Sequence, residues 1–251
     1  MDLDFNYRHI DKEKDWGDVR KEIDPLLIRV LHDLGYDGDE IRIQARYPLG
    51  RIVASYRSSQ ERRDTIKVET GYMRRMPIMK EDRPYEIRNP RSGSSFTVLS
   101  PGKEELFANK FCTMISRRKG SMNARDMFDV RTISRSTFDK DLFLDIVMIE
   151  GLLMDLDLTD PKILIGTVPS SNLKGLVIGN IDMVSMMDSV ISFTKEVQQL
   201  LEERHWNEFR YRFKANGNMD HTYFRYDDRF NDRLSEHPQL IWVNMKGSNK
   251  S

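Results

Sequence analysis

Apolar and polar residues alternate in four short stretches of the first 72 positions, with one helical pattern among them. The alternation predicts strands over 2–8, 41–47, 51–56 and 65–72, because successive side chains of a strand face opposite sides of a sheet. Apolar residues spaced three and four apart predict a helix over 18–34, which ends near two glycines. The first part of the chain is therefore predicted to be a sheet with a packed helix.

The later part of the chain is predicted to be mainly helical. A loop rich in Pro, Arg, Ser and Gly is predicted over 80–94, followed by a short strand over 96–99. Ser100 and Pro101 then form a typical helix start, with Ser100 as the N-cap, and this helix is expected to reach about residue 117. Further helices are predicted over 123–133, from 138 onward, over 187–203 and over 223–234, whereas 161–176 fits no single element. The fold class is therefore predicted to be α+β.

Composition narrows the class of protein. The chain has 251 residues, 39% of them hydrophobic, which is enough for a sizeable core. Its 40 basic and 40 acidic residues cancel, so any contact with a polyanion has to be local. A single cysteine, Cys112, excludes an internal disulfide framework, and we expect it to be a buried apolar residue. With no membrane span and no signal peptide in the pattern, the protein is expected to be soluble and cytoplasmic.

Three acidic residues in the strand region are candidate metal ligands. Asp2 and Asp4 would project from one face of the first strand, and two adjacent carboxylates favour a hard divalent cation such as Mg²⁺. Glu69 is the only acidic residue in its stretch and would complete the cluster if its strand lies beside the first. The alternatives are a solvated edge strand for the two aspartates and an ion pair of Glu69 with Arg62, Arg63 or Arg74.

Two later helices contain further candidates. Lys110 borders an apolar helical face and would reach nucleotide phosphates as a point charge. Asp126 and Asp129 share a helical face and, opposite Lys110, would fix its ammonium group or receive a substrate proton. The alternatives are a lysine that extends along a helix surface and a solvated acidic face.

A basic and aromatic stretch offers a different class of function. Its arginines are interleaved with tyrosines, a pattern that RNA-binding faces use, although a solvated sheet face is the favoured interpretation. The residues are Arg42, Arg46, Arg51, Arg57, Tyr47 and Tyr56.

In order along the chain, the acidic and basic segments resemble the motifs of the AbiEii/AbiGii toxin nucleotidyltransferase family, of the DNA polymerase beta-like superfamily. Asp2-Leu3-Asp4 is similar to its first acidic motif, and the stretch around Glu69 is similar to the second. The helix with Lys110 resembles the lysine motif, and Asp126-Met127-Phe128-Asp129 the last motif. The tail over 237–242 is similar to a C-terminal helix of the family.

The resemblance implies a nucleotidyltransferase-like mixed sheet over 1–100, followed by a helical part over 101–251 that carries the lysine and Asp-x-x-Asp motifs. It implies transfer of a nucleoside monophosphate from an NTP to an acceptor hydroxyl, on RNA such as tRNA or on protein. Asp2 and Asp4 would hold Mg²⁺, and Glu69 would complete the cluster or act as a base. Lys110 would contact phosphate, and Asp126 and Asp129 would orient the lysine or the acceptor.

The same resemblance implies a toxin of a type IV toxin–antitoxin or phage-defence pair, with a separately encoded antitoxin and no membrane partner. The family's Gly-Ser/Thr turn, which binds phosphates through its N–H groups, has no counterpart before Asp2. A core truncated at its N-terminus is therefore expected. The alternative is an inactive relative that binds a nucleotide or a partner.

Overall fold

The polypeptide forms two compact units in a computed structural model. Unit 1 comprises Met1–Pro77 with His237–Gln239, and unit 2 comprises Ile78–Glu236 with Leu240–Ser251. The functional division proposed at residue 100 stays a prediction. The structure describes residues 2–6, 16–36, 40–46, 49–58, 61–72, 76–80, 82–88, 93–117, 124–160 and 182–248.

The described part of unit 1 is a mixed sheet with one helix. The strands are ordered β1-β4-β3-β2, with β1 parallel to β4 and the other neighbours antiparallel. The predicted helix and all four predicted strands of this region are confirmed where the structure describes them, and residues 7, 8 and 47 of the predicted strands lie outside the described residues. Their bounds are β1 (Asp2–Asn6), α1 (Trp16–Asp33), β2 (Ile41–Arg46), β3 (Leu49–Arg57) and β4 (Arg63–Gly71).

The alternation of side chains decides which face of this sheet is buried. Ile52 and Ala54 of β3 and Ile66 and Val68 of β4 are buried together with Leu31 of α1. Their neighbours along the strands therefore occupy the other face. Burial of these apolar side chains contributes roughly 1.5–3 kcal/mol for each large residue and fixes the orientation of both strands.

A buried polar group anchors α1 to the end of β4. The Tyr72 hydroxyl donates to Asp24 Oδ1 at 3.2 Å, and Arg20 Nη2 donates to Asp24 Oδ2 at 2.5 Å. Burial, together with the Asp24 carboxylate, raises the pKa of Tyr72 to about 12. The Tyr72 ring lies against Gly50, where a Cβ would be only 2.9 Å from Tyr72 Cε2, so the ring leaves no room for a side chain at this position.

Unit 2 combines a hairpin with helices. Strands β5 and β6 form an antiparallel pair in which Arg83 lies opposite Ser100 and Ile87 opposite Phe96. The strand predicted over 96–99 is confirmed, and the loop predicted over 80–94 is wrong for residues 83–88, because those residues pair with β6. The elements are β5 (Arg83–Arg88), β6 (Ser95–Ser100), α2 (Lys103–Ser116), α3 (Ala124–Ser134), α4 (Lys140–Leu153), α5 (Met183–Glu203) and α6 (Trp206–Asn216), with α7 (Pro238–Ser248) shared between the units.

Two details of the helical prediction are wrong. Ser100 is not the N-cap of α2, because it is paired in β6, and Gly102 occupies the cap instead. The helix predicted over 223–234 is replaced by short 3₁₀ turns at His221–Tyr223, Asp227–Arg229 and Leu234–Glu236. The carboxylate of Asp145 accepts the backbone N–H groups of Arg225 and Tyr226 at 2.8 and 3.0 Å, which removes those donors from a helical ladder. The ambiguous stretch 161–176 lies outside the described residues.

Helix α4 lies in the centre of the unit 2 core. Every residue from Leu142 to Leu153 is buried, and α4 packs against α2 and α5. Cys112 is buried as predicted, with Sγ 3.8 Å from the Val147 carbonyl oxygen. Within the described ranges, no helix is long and apolar enough to cross a membrane.

An ion network lies at the N-terminal end of α4. Arg204 pairs with the fully buried Asp145 and also with Asp141, in the latter case at 2.5 Å. Arg225 Nη1 lies 2.8 Å from the same Asp141. Burial raises the pKa of Asp145, whereas hydrogen bonds and the Arg204 charge act in the opposite direction.

Candidate functional site

A row of charged residues crosses three strands on the exposed face of the unit 1 sheet. Asp4 of β1 is the register partner of Glu69 of β4, and Glu69 is the register partner of Arg51 of β3. Residues directly opposite in neighbouring strands project to the same face, so these three side chains lie side by side. The structure thus places Glu69 beside the first acidic strand, the condition on which its candidate role depends.

The Glu69 carboxylate is held by Arg51. Both Nε and Nη2 of Arg51 lie 2.5 Å from Glu69 Oε1. None of the arginines considered from the sequence is this partner, because the antiparallel register brings residue 51 opposite residue 69. A fork of two N–H groups on one carboxylate oxygen fixes the carboxylate more firmly than a single contact would.

The chemistry of these oxygen donors fits a divalent cation. Asp4 is exposed, and the carboxylates of Asp4 and Glu69 are adjacent like charges, which an ion between them would stabilise. Asp2 is the register partner of Lys67, and its side chain is not among those described. Among the side chains that are described, no three of His, Cys, Asp or Glu form a group that could hold a metal.

The predicted lysine motif forms an ion pair within unit 2. Lys110 Nζ on α2 lies 3.0 Å from Asp129 Oδ2 on α3, and the lysine is about half exposed. The contact follows from the packing of α2 against α3. As a partly exposed pair it adds only about 0–1 kcal/mol to stability, so its consequence is orientation of the ammonium group.

Asp126 has a different partner. Its two carboxylate oxygens accept from Arg117 Nη1 at 3.0 and 3.1 Å, and the aspartate is buried. The structure therefore pairs Asp129 with Lys110, whereas Asp126 pairs with Arg117 at the C-terminal end of α2. Arg117 was not a sequence candidate, because an arginine at a helix end has no distinctive signal.

The basic and aromatic stretch does not form one face. Tyr56 packs edge-on against Tyr36 on the α1 side of the sheet, with the ring centroids 5.8 Å apart. Arg51 lies on the opposite face with Glu69. Since the strand alternation separates the arginine from the tyrosine, these two residues do not share the interleaved RNA-binding face that the sequence offered as the less favoured interpretation.

A mixed sheet with acidic residues of adjacent strands on one face, followed by a lysine-bearing helix, is the arrangement expected of a nucleotidyltransferase. The chain belongs to the AbiEii family: a family model described as nucleotidyl transferase AbiEii toxin, type IV toxin–antitoxin system, matches residues 1–217. The enzyme is thus a nucleotidyltransferase of a toxin family, and the resemblance seen in the motifs is confirmed.

A solved structure supports the fold. MenT4, a nucleotidyltransferase toxin of Mycobacterium tuberculosis H37Rv, superposes with a TM-score of 0.51 at 14% sequence identity. The match covers 86% of this chain and 73% of MenT4. No curated protein sequence matches the chain. The predicted α+β fold is therefore confirmed by structural similarity.

Proposed function

We propose that the chain transfers a nucleoside monophosphate from an NTP to an acceptor hydroxyl, with release of pyrophosphate. The observation that carries this proposal is the register of β1 with β4, which sets Asp4 beside Glu69 on the open face of the sheet. Adjacent carboxylates at that position suit the metal-assisted phosphoryl-transfer chemistry of the family.

In this proposal Asp2, Asp4 and Glu69 hold Mg²⁺. When bound, the ion would neutralise phosphate charge and polarise the attacking hydroxyl. Arg51 holds Glu69 Oε1 and so orients the carboxylate before a ligand arrives. The oxygens of Asp2 and Asp4 complete a hard donor set that matches the preference of Mg²⁺.

Lys110 binds a phosphate oxygen of the nucleotide, and Asp129 holds its ammonium group in place until then. Asp126 acts through Arg117, which it binds with both oxygens, and so positions the end of α2. These assignments agree with the order of the family motifs along the chain.

The acceptor is proposed to be RNA, such as tRNA, or a protein. The family description supports a type IV toxin–antitoxin pair, so a separately encoded antitoxin is the proposed partner, with phage defence as the biological role. The protein is proposed to act in the cytoplasm.

A second candidate is a relative that binds a nucleotide without turnover. One observation favours it: Arg51 already occupies the Glu69 carboxylate, and a permanent ion pair there would keep the residue from a metal. This candidate predicts nucleotide binding with no label transfer.

The deciding experiment incubates the full chain with each common NTP, labelled at the α-phosphate, with Mg²⁺ and total RNA and protein. We expect label in one acceptor fraction and its loss in Asp4→Asn and Lys110→Ala. The matched control is Asp33→Asn, an exposed carboxylate at the end of α1. Transfer that persists in Asp4→Asn would contradict the site, and binding without transfer would favour the second candidate.

A further inference from the structure

The β5–β6 hairpin presents an exposed apolar face. Tyr85 lies opposite Val98 and Ile87 opposite Phe96, and the alternation of strand residues places all four on one side. Tyr85 is 62% exposed and Phe96 59%. A two-stranded sheet is only marginally stable in water by itself, so it gains from contact with another surface. Contiguous exposed apolar patches of this kind mark binding surfaces.

A cavity of about 270 Å³ adjoins one end of this face. Arg83, two residues before Tyr85 and on the same side of β5, lines the cavity together with Lys80 and Arg229. The position of Arg229 is fixed by backbone pairing, since Lys80 N–H donates to its carbonyl at 3.0 Å. The exposed aromatic face therefore leads directly to a cluster of three cations.

Two of these cations are not neutralised by a described carboxylate. Lys80 pairs with Asp232 at 3.0 Å, whereas neither Arg83 nor Arg229 has an ion-pair partner among the residues that the structure describes. The Arg229 guanidinium lies 5.3 Å from the centroid of the Tyr226 ring, which holds it in place without neutralising it. The cavity is thus suited to an anionic group such as a phosphate.

The cavity also contains acceptors. Glu104 accepts the Asp139 N–H at 3.3 Å, and Glu105 is buried in the wall, next to the apolar side chains of Leu142 and Ile146. A carboxylate beside arginines complements a ribose attached to a phosphate, because the 2′-hydroxyl of the ribose donates to the carboxylate. The deoxyribose of a DNA strand lacks this donor, so the lining favours RNA over DNA.

We propose that the cavity and the hairpin face together bind single-stranded RNA. A backbone phosphate contacts Arg83 and Arg229, a ribose hydroxyl donates to Glu105, and successive bases stack on Tyr85 and Phe96. Cations next to exposed aromatic rings form the arrangement that single-strand binding uses. The inference rests on the proposed function only in that a bound strand would be the acceptor.

The test measures binding by the full chain without NTP or Mg²⁺, so it is independent of transfer activity. The probe is a fluorescent, uridine-rich RNA strand of about 12 nucleotides, titrated at several salt concentrations and followed by anisotropy. We expect salt-sensitive binding of this strand, with weaker binding of the DNA strand of the same sequence and of duplex RNA.

The variants separate stacking from folding. Tyr85→Leu and Phe96→Leu keep an apolar side chain but remove the ring, and each is expected to weaken RNA binding about tenfold, whereas Tyr85→Phe is expected to retain it. Arg83→Ala and Arg229→Ala are expected to weaken binding and to lower the salt slope by about one. The matched controls are Tyr211→Leu, an exposed ring on α6, and Arg135→Ala, an exposed arginine after α3.

Three results would overturn the proposal. They are no RNA binding by the folded wild type, an equal effect of the hairpin and control variants, or equal affinity for the DNA strand, which would remove the ribose assignment. A change in oligomeric state in Tyr85→Leu, with RNA affinity unchanged, would assign the face to a protein contact instead.

Discussion

Glu69 has neighbours of opposite charge on its two sides. Asp4 on β1 repels its carboxylate, and Arg51 on β3 attracts it. In the absence of a ligand the arginine holds the carboxylate with two N–H groups, and a divalent cation would have to compete with this contact. Arg51 is therefore the proposed positioning residue, and its removal is expected to separate metal affinity from turnover.

If Asp4 and Glu69 bind Mg²⁺ as proposed, Arg51→Ala is expected to lower the Mg²⁺ concentration for half-maximal activity about threefold to fivefold, because a positive charge beside the proposed cation site is removed. It is also expected to lower kcat about tenfold, since Glu69 loses its fixed orientation. Nucleotide transfer measured across a Mg²⁺ titration tests both effects.

The control for this prediction is Arg42→Ala, an exposed arginine on β2. A merely structural role for Arg51 would change the amount of folded protein and leave the Mg²⁺ dependence where it is in the wild type.

At the scale of elements, packing around α4 is the most sensitive feature. A Cβ on Gly151 would lie 2.7 Å from Leu158 Cδ1 and 2.8 Å from Trp206 Cη2, and both of those side chains are fully buried. Helix α4 therefore approaches its neighbours as closely as a glycine allows.

Gly151→Ala is expected to destabilise the protein by about 1–2 kcal/mol, because overpacking outweighs the higher helix propensity of alanine. Chemical denaturation followed by circular dichroism measures the change. An unchanged midpoint for Gly151→Ala would contradict the close packing.

The regular elements could be predicted from the sequence because their periodicity is local. Strands β2 to β4 and helix α1 alternate or repeat as their burial requires. Strand β5 could not be predicted, since its residues are all exposed and only pairing with β6 makes them a strand. The turns after residue 220 depend on Asp145, which is about 80 residues away in sequence.

The site was predictable in part for the same reason. The spacing of Lys110, Asp126 and Asp129 on helices indicated a pairing, and the structure shows Asp129 as the partner of the lysine. Arg51 and Arg117 could not be found from spacing, because strand register and helix packing bring them to Glu69 and Asp126. The ligands of Mg²⁺ stay a prediction.

At the scale of the whole molecule, the described residues of the two units form buried clusters of different size. The cluster of unit 1 centres on Leu31, Ile52, Ala54, Ile66 and Val68, whereas that of unit 2 draws on α2 to α6. The Tyr72–Asp24–Arg20 group adds polar contacts between α1 and the residue after β4, so loss of one of these contacts is expected to lower the stability of unit 1.

Alkaline pH should destabilise unit 1 through Tyr72. The pKa of Tyr72 is raised from an ordinary value of 10.0 to about 12 in the folded protein, so an unfolded chain releases this proton first. Stability from this group is present below about pH 10 and is lost as the pH rises toward 12. Denaturant midpoints measured from about pH 8 to about pH 11 test the decline.

Tyr72→Phe is the matched variant, because it keeps the ring above Gly50 and removes the titrating hydroxyl. We expect it to be less stable by roughly 1 kcal/mol at neutral pH, from loss of one hydrogen bond, and to show a shallower decline toward alkaline pH. Parallel declines for the two proteins would contradict the role of Tyr72.

Because Cys112 is buried, its reaction with a thiol reagent reports the separation of the helices that enclose it. It is the single thiol in the sequence and is completely enclosed between α2 and α4. A thiol reagent added to the folded enzyme has to wait until these helices separate, so its labelling rate reads the frequency of that event. Because buried Cys112 does not react in the folded protein, a cysteine introduced at an exposed position would be the single site that a thiol-reactive dye labels.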